Sequence, residues 1–261
     1  MRDTQPYTIA ELIAVVLARH LKDDWLAIVG TASYEAATAC RLAQLTHAPN
    51  LNWLFGGVGA LNPQLKPMPP SSADFRSMRG AEAVVGIDEV GDYELAGQID
   101  LFFAGGIQID RFGNLNLCCT GDYSRPKFRG PGSVGLPFLS KAKNIFTFTR
   151  AHNRRTFVER VDFISGVGNL DGPGSRGRAG LVEDQGPRMV VTNLAVMDFD
   201  PKSKRMRLKS LHPGVSLDTV VKNTGFELLQ PAHVSQTPAP TEEELQLVRE
   251  EIDTEGILRR I

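Results

Sequence analysis

The chain has 261 residues, of which 42% are hydrophobic and 23% are charged, a composition that is ordinary for a globular protein. The formal net charge of −1 at pH 7 argues against a broad electrostatic surface for nucleic acid or for a membrane. The sequence contains no apolar run of the roughly 18 residues that span a bilayer, and its start lacks the apolar core of a signal peptide. We therefore expect a cytoplasmic protein without nucleic-acid or membrane partners.

The first half of the chain predicts helices and strands in alternation. Thr8–Leu21 is an amphipathic helix, and Thr8 and Glu11 have the spacing of a capping box. The elements that follow are the strand Trp25–Val29, the helix Ser33–Thr46, the strand Leu51–Phe55, the proline-rich loop Asn62–Ser72, the helix Asp88–Ala96 and the strand Leu101–Ala104. Strand, helix and strand with short connections predict a βαβ unit and hence a parallel sheet.

The second half predicts mainly strands and long loops. Its predicted elements are the glycine- and arginine-rich loop Gly121–Leu136, the strands Ile145–Thr149 and Val158–Ile164, the loop Ser165–Pro187, the strands Met189–Val191, Ala195–Phe199 and Arg205–Ser210, and the capped helix Thr241–Glu251. We expect an α/β fold, with a mainly parallel sheet flanked by helices and antiparallel strands in the C-terminal half. A single domain over residues 1–230 and a tail with a helix over residues 231–261 are the predicted organisation.

The three cysteines, Cys40, Cys118 and Cys119, do not indicate a disulfide framework. The adjacent pair lacks the second pair that a zinc site needs, so we interpret both residues as small side chains on a partly buried strand. No metal site is predicted, and the cysteine content fits a reducing compartment.

Polar residues gather immediately after the strand Leu101–Ala104. The strand stops at Gly105-Gly106, where backbone without side chains can turn sharply, and Gln108 and Asp110 follow. In open α/β sheets, ligands bind outside the carboxyl ends of the strands. The sequence therefore predicts a ligand-binding turn at this strand end.

The same segment, GGIQIDRFGNLN, resembles the corresponding segment of class I CoA-transferases, specifically the β subunit of the glutaconate type. Further motifs in the same order extend the resemblance: Val29-Gly30-Thr31, Gly121-Asp122-Tyr123, Gly130–Gly135, Asp171-Gly172-Pro173-Gly174 and Asn223-Thr224-Gly225-Phe226. The resemblance implies the fold of that family, which sugar-phosphate isomerases share. It also implies a coenzyme A thioester as substrate, no permanently bound cofactor, and an α subunit as partner in a heterodimer or heterotetramer.

The resemblance also implies a mechanism in which a β-subunit glutamate attacks the thioester, near backbone donors that stabilise the oxyanion. That glutamate follows a short strand, and here Phe55 stands in its place. A phenyl ring cannot form an acyl anhydride. The carboxylate can instead come from the partner subunit, as in related steroid-ring-opening hydrolases, or the reaction can be a decarboxylation that needs no nucleophile. Alternatively, another carboxylate of this chain serves, of which Glu35 is the nearest candidate.

Glu35 has a simpler interpretation as an acidic residue in the first turn of a helix, where the helix dipole stabilises it. A catalytically silent subunit that only shapes the partner's site is a further alternative. A sugar-phosphate isomerase of related fold is another, but the GGIQID and GDY segments weigh against it.

The predicted substrate-binding residues are glycines near strand ends together with polar and basic residues. They are Gly56, Gly57, Gly105, Gly106, Gln108, Arg125, Lys127, Gly130, Gly132, Ser133 and Gly135. Arg125, Lys127 and Arg129 can meet phosphates or a carboxylate, or form a solvated rim. Gln108 and Asp110 have the alternative role of ordering the following turn. His152 and His212 are interpreted as structural.

Overall fold

The computed structural model describes residues 6–69 and 74–261, which form two compact units. Of the described residues, the first unit contains 6–69, 74–93, Ile99–Phe103 and Ala239–Ile261, and the second contains Glu94–Gln98 and Ala104–Pro238. The single domain over residues 1–230 and the tail over residues 231–261 stay predictions, and Ala239–Ile261 of that tail belong to the first unit.

Fifteen strands lie within the described ranges: β1 (Leu26–Val29), β2 (Asn52–Phe55), β3 (Ala60–Leu61), β4 (Ala83–Val84), β5 (Leu101–Ala104), β6 (Gln108–Asp110), β7 (Leu115–Asn116), β8 (Cys119–Gly121), β9 (Pro126–Arg129), β10 (Asn144–Thr149), β11 (Phe157–Val158), β12 (Gly186–Thr192), β13 (Ala195–Phe199), β14 (Met206–Leu211) and β15 (Ser235–Gln236). The α-helices of the same ranges are α1 (Ile9–Ala18), α2 (Tyr34–Leu45), α3 (Ile87–Leu95), α4 (Ser175–Arg178), α5 (Leu217–Asn223) and α6 (Glu242–Leu247). Phe75–Met78 and Leu136–Ser140 form 3-10 turns, and α6 continues as a π-helical turn over Val248–Ile252.

The first unit contains a parallel sheet with an antiparallel edge. Strand β1 pairs in parallel with β2 on one side and with β5 on the other, while β3 pairs antiparallel with both β2 and β4. Strands β1, β2 and β5 are almost entirely apolar and buried, as strands covered on both faces of a parallel sheet are. The βαβ unit predicted from β1, α2 and β2 is present.

The first helix of this unit begins where the sequence predicts. The hydroxyl of Thr8 accepts a hydrogen bond from the backbone N–H of Glu11, and the Glu11 carboxylate accepts one from the backbone N–H of Thr8. The C-terminal segment joins α1 through ion pairs, since Arg249 binds Glu11 and Arg19 binds Glu244. The residues predicted as a tail are therefore part of the packing of this unit.

The second unit contains mixed strands. Strands β10 and β12 are parallel, β12, β13 and β14 pair antiparallel in sequence, and β15 joins β14 in parallel. A smaller sheet has the order β11-β6-β7, and β8 and β9 form a two-stranded hairpin. The predicted α/β class, with parallel strands, flanking helices and antiparallel strands in the C-terminal half, is confirmed.

Three of the predicted elements in the second unit differ from the structure. The predicted loop Gly121–Leu136 contains β9, an exposed strand that carries two of the basic residues. The predicted strand Val158–Ile164 keeps only Val158 in β11; of the apolar residues beyond it only Val161 is buried, and Ile164 is 40% exposed. The predicted loop Ser165–Pro187 contains α4 and the start of β12. In the predicted loop Asn62–Ser72, residues 70–72 lie outside the described residues.

No helix within residues 6–69 or 74–261 combines the length and the hydropathy that crossing a bilayer demands.

The pairing of Arg249 with Glu11 generates a stability prediction. Glu11 is 1% exposed and its carboxylate receives two hydrogen bonds from the Arg249 guanidinium, which is itself 33% exposed. We expect Arg249→Ala to lower the free energy of unfolding by about 2 kcal/mol, because it leaves a buried carboxylate with a weaker set of partners. Lys66→Ala, which removes a half-exposed ion pair with Glu251, is the control and should change the free energy by less than about 1 kcal/mol. Urea unfolding measures both, and equal effects would contradict the prediction.

Candidate functional site

The turn after β5 is closed by tight backbone packing. A Cβ placed on Gly106 would lie 2.8 Å from the carbonyl oxygen of Asn116 and 3.0 Å from that of Gln108, so a side chain does not fit there. The next residue, Ile107, donates its N–H to the same Asn116 carbonyl at 2.7 Å. Gly105 is different, since its nearest neighbour would be the Phe148 carbonyl at 3.4 Å. Gly106 is thus required by the fold, whereas Gly105 leaves room beside the backbone.

Gln108, a predicted binding residue, is engaged by its own chain. Its Nε2 donates to Oδ2 of Asp162 at 3.0 Å, and its Oε1 accepts from Nδ2 of Asn116 at 2.7 Å and from the backbone N–H of Asp162 at 3.0 Å. The side chain is 6% exposed. These contacts orient the amide so that it joins β6 to the segment around residue 162.

Asp110 orders the turn that follows it. One of its carboxylate oxygens accepts from the backbone N–H groups of Phe112 and Asn114, and the other accepts from the side-chain amide of Asn114. Burial raises the pKa of Asp110 above its usual value, and these hydrogen bonds act in the opposite direction. The carbonyl oxygen of the Asn114 side chain accepts from the N–H groups of Gly168 and Leu170, so the turn is joined to the glycine-rich segment. Gln108 and Asp110 do not bond to each other in these contacts.

Asp162 belongs to this polar network, although no local pattern in the sequence predicts its role. Its Oδ2 accepts from Gln108 and also from the backbone N–H of Gly121 at 2.9 Å, which ties the β8–β9 hairpin to the turn after β5. The residue lies inside a stretch that the sequence predicts as a strand. A carboxylate there is an unusual residue for a half-buried strand, and that anomaly is the one feature that would have drawn attention to it.

The adjacent cysteines lie at the start of the hairpin and are buried, as their interpretation as small strand residues requires. Asn116 brackets them, because its Oδ1 accepts from the N–H of Cys118 and its Nδ2 donates to the carbonyl of Cys119. Across the described residues no group of three histidine, cysteine or acidic side chains is arranged to hold a metal ion.

The hairpin exposes the predicted basic residues. Arg125, Lys127 and Arg129 are accessible to solvent, and none of them forms an ion pair among the described residues. The carboxylate of Asp122, which precedes them, is occupied by the backbone N–H groups of Ser124 and Arg125. The hairpin therefore carries three solvent-exposed cations on the surface of the second unit.

The glycine-rich segment after the hairpin combines a packed glycine with an open one. A Cβ on Gly130 would lie 2.2 Å from the carbonyl oxygen of Leu117, so this position is closed to any side chain. Gly132 has a φ of +94° and no atom within 4 Å of the place that a Cβ would take, so its backbone conformation alone favours glycine. Ser133 and Gly135 are half-buried and lead into the turn Leu136–Ser140.

Phe55 ends β2 in the first unit and points into that unit's own core. It is 1% exposed, and its ring centroid lies 6.0 Å from that of Trp53, which shares its face of the strand. Gly56 follows, and a Cβ there would be at ordinary contact distance, 3.4 Å from the carbonyl of Val29. Gly57 is exposed in the turn beyond. The position that the resemblance assigns to a glutamate is thus a fully covered apolar site.

Glu35, the alternative carboxylate, lies in the first turn of α2 in the first unit and is 2% exposed. Its position is the one that the helix-dipole interpretation predicts.

Two buried histidines form a hydrogen-bonded cluster in the second unit. Nε2 of His212 lies 2.8 Å from the carbonyl of Thr192, and since a carbonyl only accepts, we assign the ring hydrogen to Nε2. Nδ1 of His212 then accepts from the hydroxyl of Thr237 at 3.0 Å. His152 lies between the hydroxyls of Thr192 and Thr224, at 2.9 and 3.0 Å. Both rings are therefore satisfied in their neutral form.

A cavity of about 220 Å³ lies elsewhere in the second unit, and none of its lining residues is a predicted site residue. It is bordered by both acidic and basic groups, among them Asp184, Asp200, Arg188 and Lys204.

The fold and the arrangement around the GGIQID turn define the class of protein. A family model described as coenzyme A transferase matches residues 10–223, and the chain belongs to that family. Within the family, the chain is similar to the B-type chains of two-chain enzymes. It is 35% identical to the B subunit of 3-oxoadipate CoA-transferase from Pseudomonas knackmussii, over 93% of this chain and 92% of that protein. It is 33% identical to the B subunit of glutaconate CoA-transferase from Acidaminococcus fermentans, over 97% and 95% of the two chains.

Solved structures of the same family also match this chain. The crystal structure of glutaconate coenzyme A-transferase from Acidaminococcus fermentans matches with a TM-score of 0.89 and 30% identity, over 99% of this chain and 100% of that chain. The Rhodococcus jostii IpdAB structure matches with a TM-score of 0.80 and 29% identity, over 98% of each chain. The decarboxylase AibA/AibB matches with a TM-score of 0.82 and 25% identity, over 97% and 98%. The resemblance identified from the motifs is confirmed at the level of the family.

The two adjacent glycines of the turn generate a matched pair of substitutions. We expect Gly106→Ala to destabilise the protein by about 1–3 kcal/mol, because its Cβ collides with two backbone carbonyls. Gly105→Ala should leave the free energy of unfolding nearly unchanged, because its Cβ makes only ordinary contacts. Denaturant unfolding of both variants measures the difference. Similar losses for the two glycines would show that the turn is not closed as described.

The histidine cluster predicts a pH dependence of stability. Burial, with a smaller contribution from His212, lowers the pKa of His152 to about 4. The unfolded state binds a proton near pH 6.5 and the folded state does not, so this histidine makes stability fall as the pH drops from 7 towards 4, by on the order of 3 kcal/mol. Burial lowers the pKa of His212 also, in the same sense.

The measurement is the free energy of unfolding of the wild type and of His152→Gln from pH 7 to pH 5, above the range in which most carboxylates titrate. Glu94, whose pKa burial raises to about 7, acts in the opposite sense in both proteins, so it cancels in the difference. The variant should be less stable at pH 7 and should lose less stability on acidification. Parallel curves for the two proteins would contradict the assignment of a neutral buried His152.

Proposed function

We propose that this chain is the B-type subunit of a two-chain enzyme that acts on an acyl-CoA thioester, with hydrolytic or ring-opening chemistry whose catalytic carboxylate comes from the α subunit. The observation that carries the proposal is the buried phenyl ring of Phe55 at the end of β2. The relatives named as CoA-transferases and the IpdAB structure support an α partner and a thioester substrate.

The chemistry at the end of β2 supports the proposal that this chain does not supply the nucleophile. Anhydride formation requires an ionised carboxylate that is open to the thioester carbonyl. Phe55 has no such group, and its side chain is covered by the chain's own core beside Trp53. Glu35 is buried in the first turn of a helix, where the helix dipole stabilises its carboxylate. A carboxylate from the partner chain meets the requirement without either residue.

What this chain contributes is then a scaffold for the thioester. In the second unit, the backbone at Gly105 carries no side chain, and such backbone can donate N–H groups to an oxyanion or an enolate. Gly132, Ser133 and Gly135 of the same unit keep the predicted binding role, and Gly56 and Gly57 keep theirs in the first unit. Because a coenzyme A thioester is the substrate, the proposal requires no permanently bound cofactor.

A decarboxylase is the second candidate, and the match to the decarboxylase AibA/AibB favours it. Loss of carbon dioxide from a thioester substrate requires stabilisation of an enolate by hydrogen-bond donors rather than a nucleophile. That requirement is compatible with Phe55. A non-catalytic subunit that only shapes the site of the α chain is the third outcome that the experiment distinguishes.

The test uses the complex of this chain with its α subunit, supplied with glutaconyl-CoA and 3-oxoadipyl-CoA in the presence and absence of acetate as acceptor. We expect thioester hydrolysis to release free coenzyme A without the acceptor, detected with a thiol reagent; ring opening leaves the thioester intact, so it is tested with a cyclic acyl-CoA and detected as a product with the mass of one added water. Release of carbon dioxide without free coenzyme A would identify the decarboxylase. Transfer that depends on acetate would contradict the proposal, and full activity of the α chain alone would assign this chain no part in the site.

Restoring the glutamate tests the role of the β2 end directly. We expect Phe55→Glu to lower the free energy of unfolding by about 3–5 kcal/mol, because it removes a buried ring and places a carboxyl group in its core. We expect no covalent coenzyme A adduct by intact-protein mass spectrometry and no acceptor-dependent transfer. Phe55→Leu is the control for lost packing alone. A glutamyl-CoA adduct in Phe55→Glu would show that this position still faces the thioester.

A further inference from the structure

The cavity of about 220 Å³ in the second unit is lined by two segments that the proposed reaction does not use. One wall is the segment around Asp184 that leads into β12, and the other is the turn between β13 and β14. Because one water molecule takes about 30 Å³ of liquid volume, a cavity of this size holds a ligand of roughly seven non-hydrogen atoms. It therefore suits a small organic molecule.

The turn between β13 and β14 holds Lys204 in a defined position. Oδ2 of Asp200 accepts from the backbone N–H groups of Lys202 and Ser203, at 3.2 and 2.7 Å, which fixes the turn. Lys204 donates its N–H to the Asp200 carbonyl and has a φ of +59°, a left-handed conformation that is uncommon for a residue with a side chain. Asn169 donates from Nδ2 to the Lys204 carbonyl at 3.2 Å. Such backbone conformations cluster at ligand sites, where surrounding contacts maintain them.

The opposite wall is anchored by Arg176, which is 1% exposed. Its Nε donates to the Val182 carbonyl at 3.0 Å, and a Cβ placed on Gly186 would lie 3.1 Å from its Nη1. Val182 and Gly186 flank Asp184 and Gln185, which line the cavity. Both walls are therefore ordered by contacts within the second unit.

The ammonium group of Lys204 borders the cavity with only weak neutralisation. Its side chain is 18% exposed, and it lies 3.8 Å from a carboxylate oxygen of Asp184, whose side chain is 95% exposed. An ion pair of that length with a solvated carboxylate contributes little. Glu183 is also within electrostatic range, but its carboxylate already accepts from the N–H groups of Gly174 and Gly177. Lys204 therefore has donors available for an anion in the cavity.

Apolar side chains form another part of the lining. Pro187, Phe199 and Pro201 contribute to it, and Pro187 and Phe199 pack closely around Gly113, where an added Cβ would lie 3.1 and 2.7 Å from them. The side-chain amide of Gln185 lines the same cavity. A pocket that combines apolar walls with a few placed polar groups is typical of sites for small organic ligands.

We infer that this cavity binds a short-chain monocarboxylic acid as its anion, with the carboxylate at the Lys204 ammonium and the hydrocarbon part against Phe199. The volume limits such a ligand to about four or five carbon atoms. Arg188, the other cation of the lining, already donates to the Asn144 side chain and to the Asp184 carbonyl, so the free donors suit one carboxylate. The inference does not rest on the proposed reaction, because none of these residues has a part in it.

Calorimetric titration of the complex of this chain with its α subunit tests the site with three probes. Butyrate carries both the charge and the hydrocarbon chain, butyramide lacks the charge, and inorganic phosphate lacks the chain. We expect Lys204→Met to weaken butyrate binding at one site of the complex by about ten-fold or more, as the loss of a charged hydrogen bond does. The α subunit is the same in every variant, so the difference reports on this chain. Butyramide and phosphate should bind that site more weakly than butyrate does.

Three further variants separate binding from folding. Lys204→Gly suits the left-handed backbone, so it should unfold no more easily than the wild type and still lose the site. Asp184→Asn removes the carboxylate that competes for Lys204, and it should strengthen butyrate binding by about two-fold to five-fold. Lys202→Met removes an exposed lysine of the same turn that does not line the cavity, and it should have no effect.

Several results would overturn the inference. Equal butyrate binding by the wild type and by Lys204→Met would exclude the lysine, and an equal loss in Lys202→Met would reduce its effect to general surface charge. Butyramide that binds as tightly as butyrate would show a cavity indifferent to charge. Phosphate that binds as tightly would show an anion site without a role for the apolar wall.

Discussion

Close packing of backbone against backbone around the GGIQID turn is the constraint on which the second unit depends. Gly106, Gly130 and Gly168 each face a main-chain segment at a distance that excludes a Cβ atom. Packing of this kind buries peptide groups, which must all find partners. Asp110, together with neighbouring amide side chains, provides those partners, so polar residues that suggest a binding site are in fact what stabilises the glycine packing.

Much of the fold follows from local physical chemistry. Leu101–Ala104 has the predicted bounds because a strand covered on both faces must be apolar throughout, and Thr8 caps its helix because the reciprocal bond with Glu11 needs only nearby residues. Strand β9 escaped prediction because exposed cations flank its one large apolar side chain, Phe128, and the loop before it is polar. Strands of two residues, such as β3, carry no periodicity from which to predict them.

The candidate site also has features that the sequence predicts and features that only the folded structure reveals. Gln108 and Asp110 stand out because they follow a strand end, but the sequence does not reveal their partners. Asp162 lies 54 residues from Gln108, and the bond between them exists only once the second unit has folded. Phe55 is the opposite case, since the family resemblance alone predicts that a carboxylate is missing, while the structure adds that the ring is buried beside Trp53. The proposed function therefore leaves binding to this chain and bond-breaking to its partner.

The excluded Cβ at Gly106 has a consequence for how such proteins are classified. A residue dictated by the distance between two stretches of main chain is needed whatever the bound molecule undergoes, so its presence reports ancestry and architecture. Transferases, ring-cleaving hydrolases and decarboxylases built on this scaffold would be indistinguishable at such positions. Reaction type is determined instead at sites that the backbone leaves free to vary, where a single side chain decides which bond is broken.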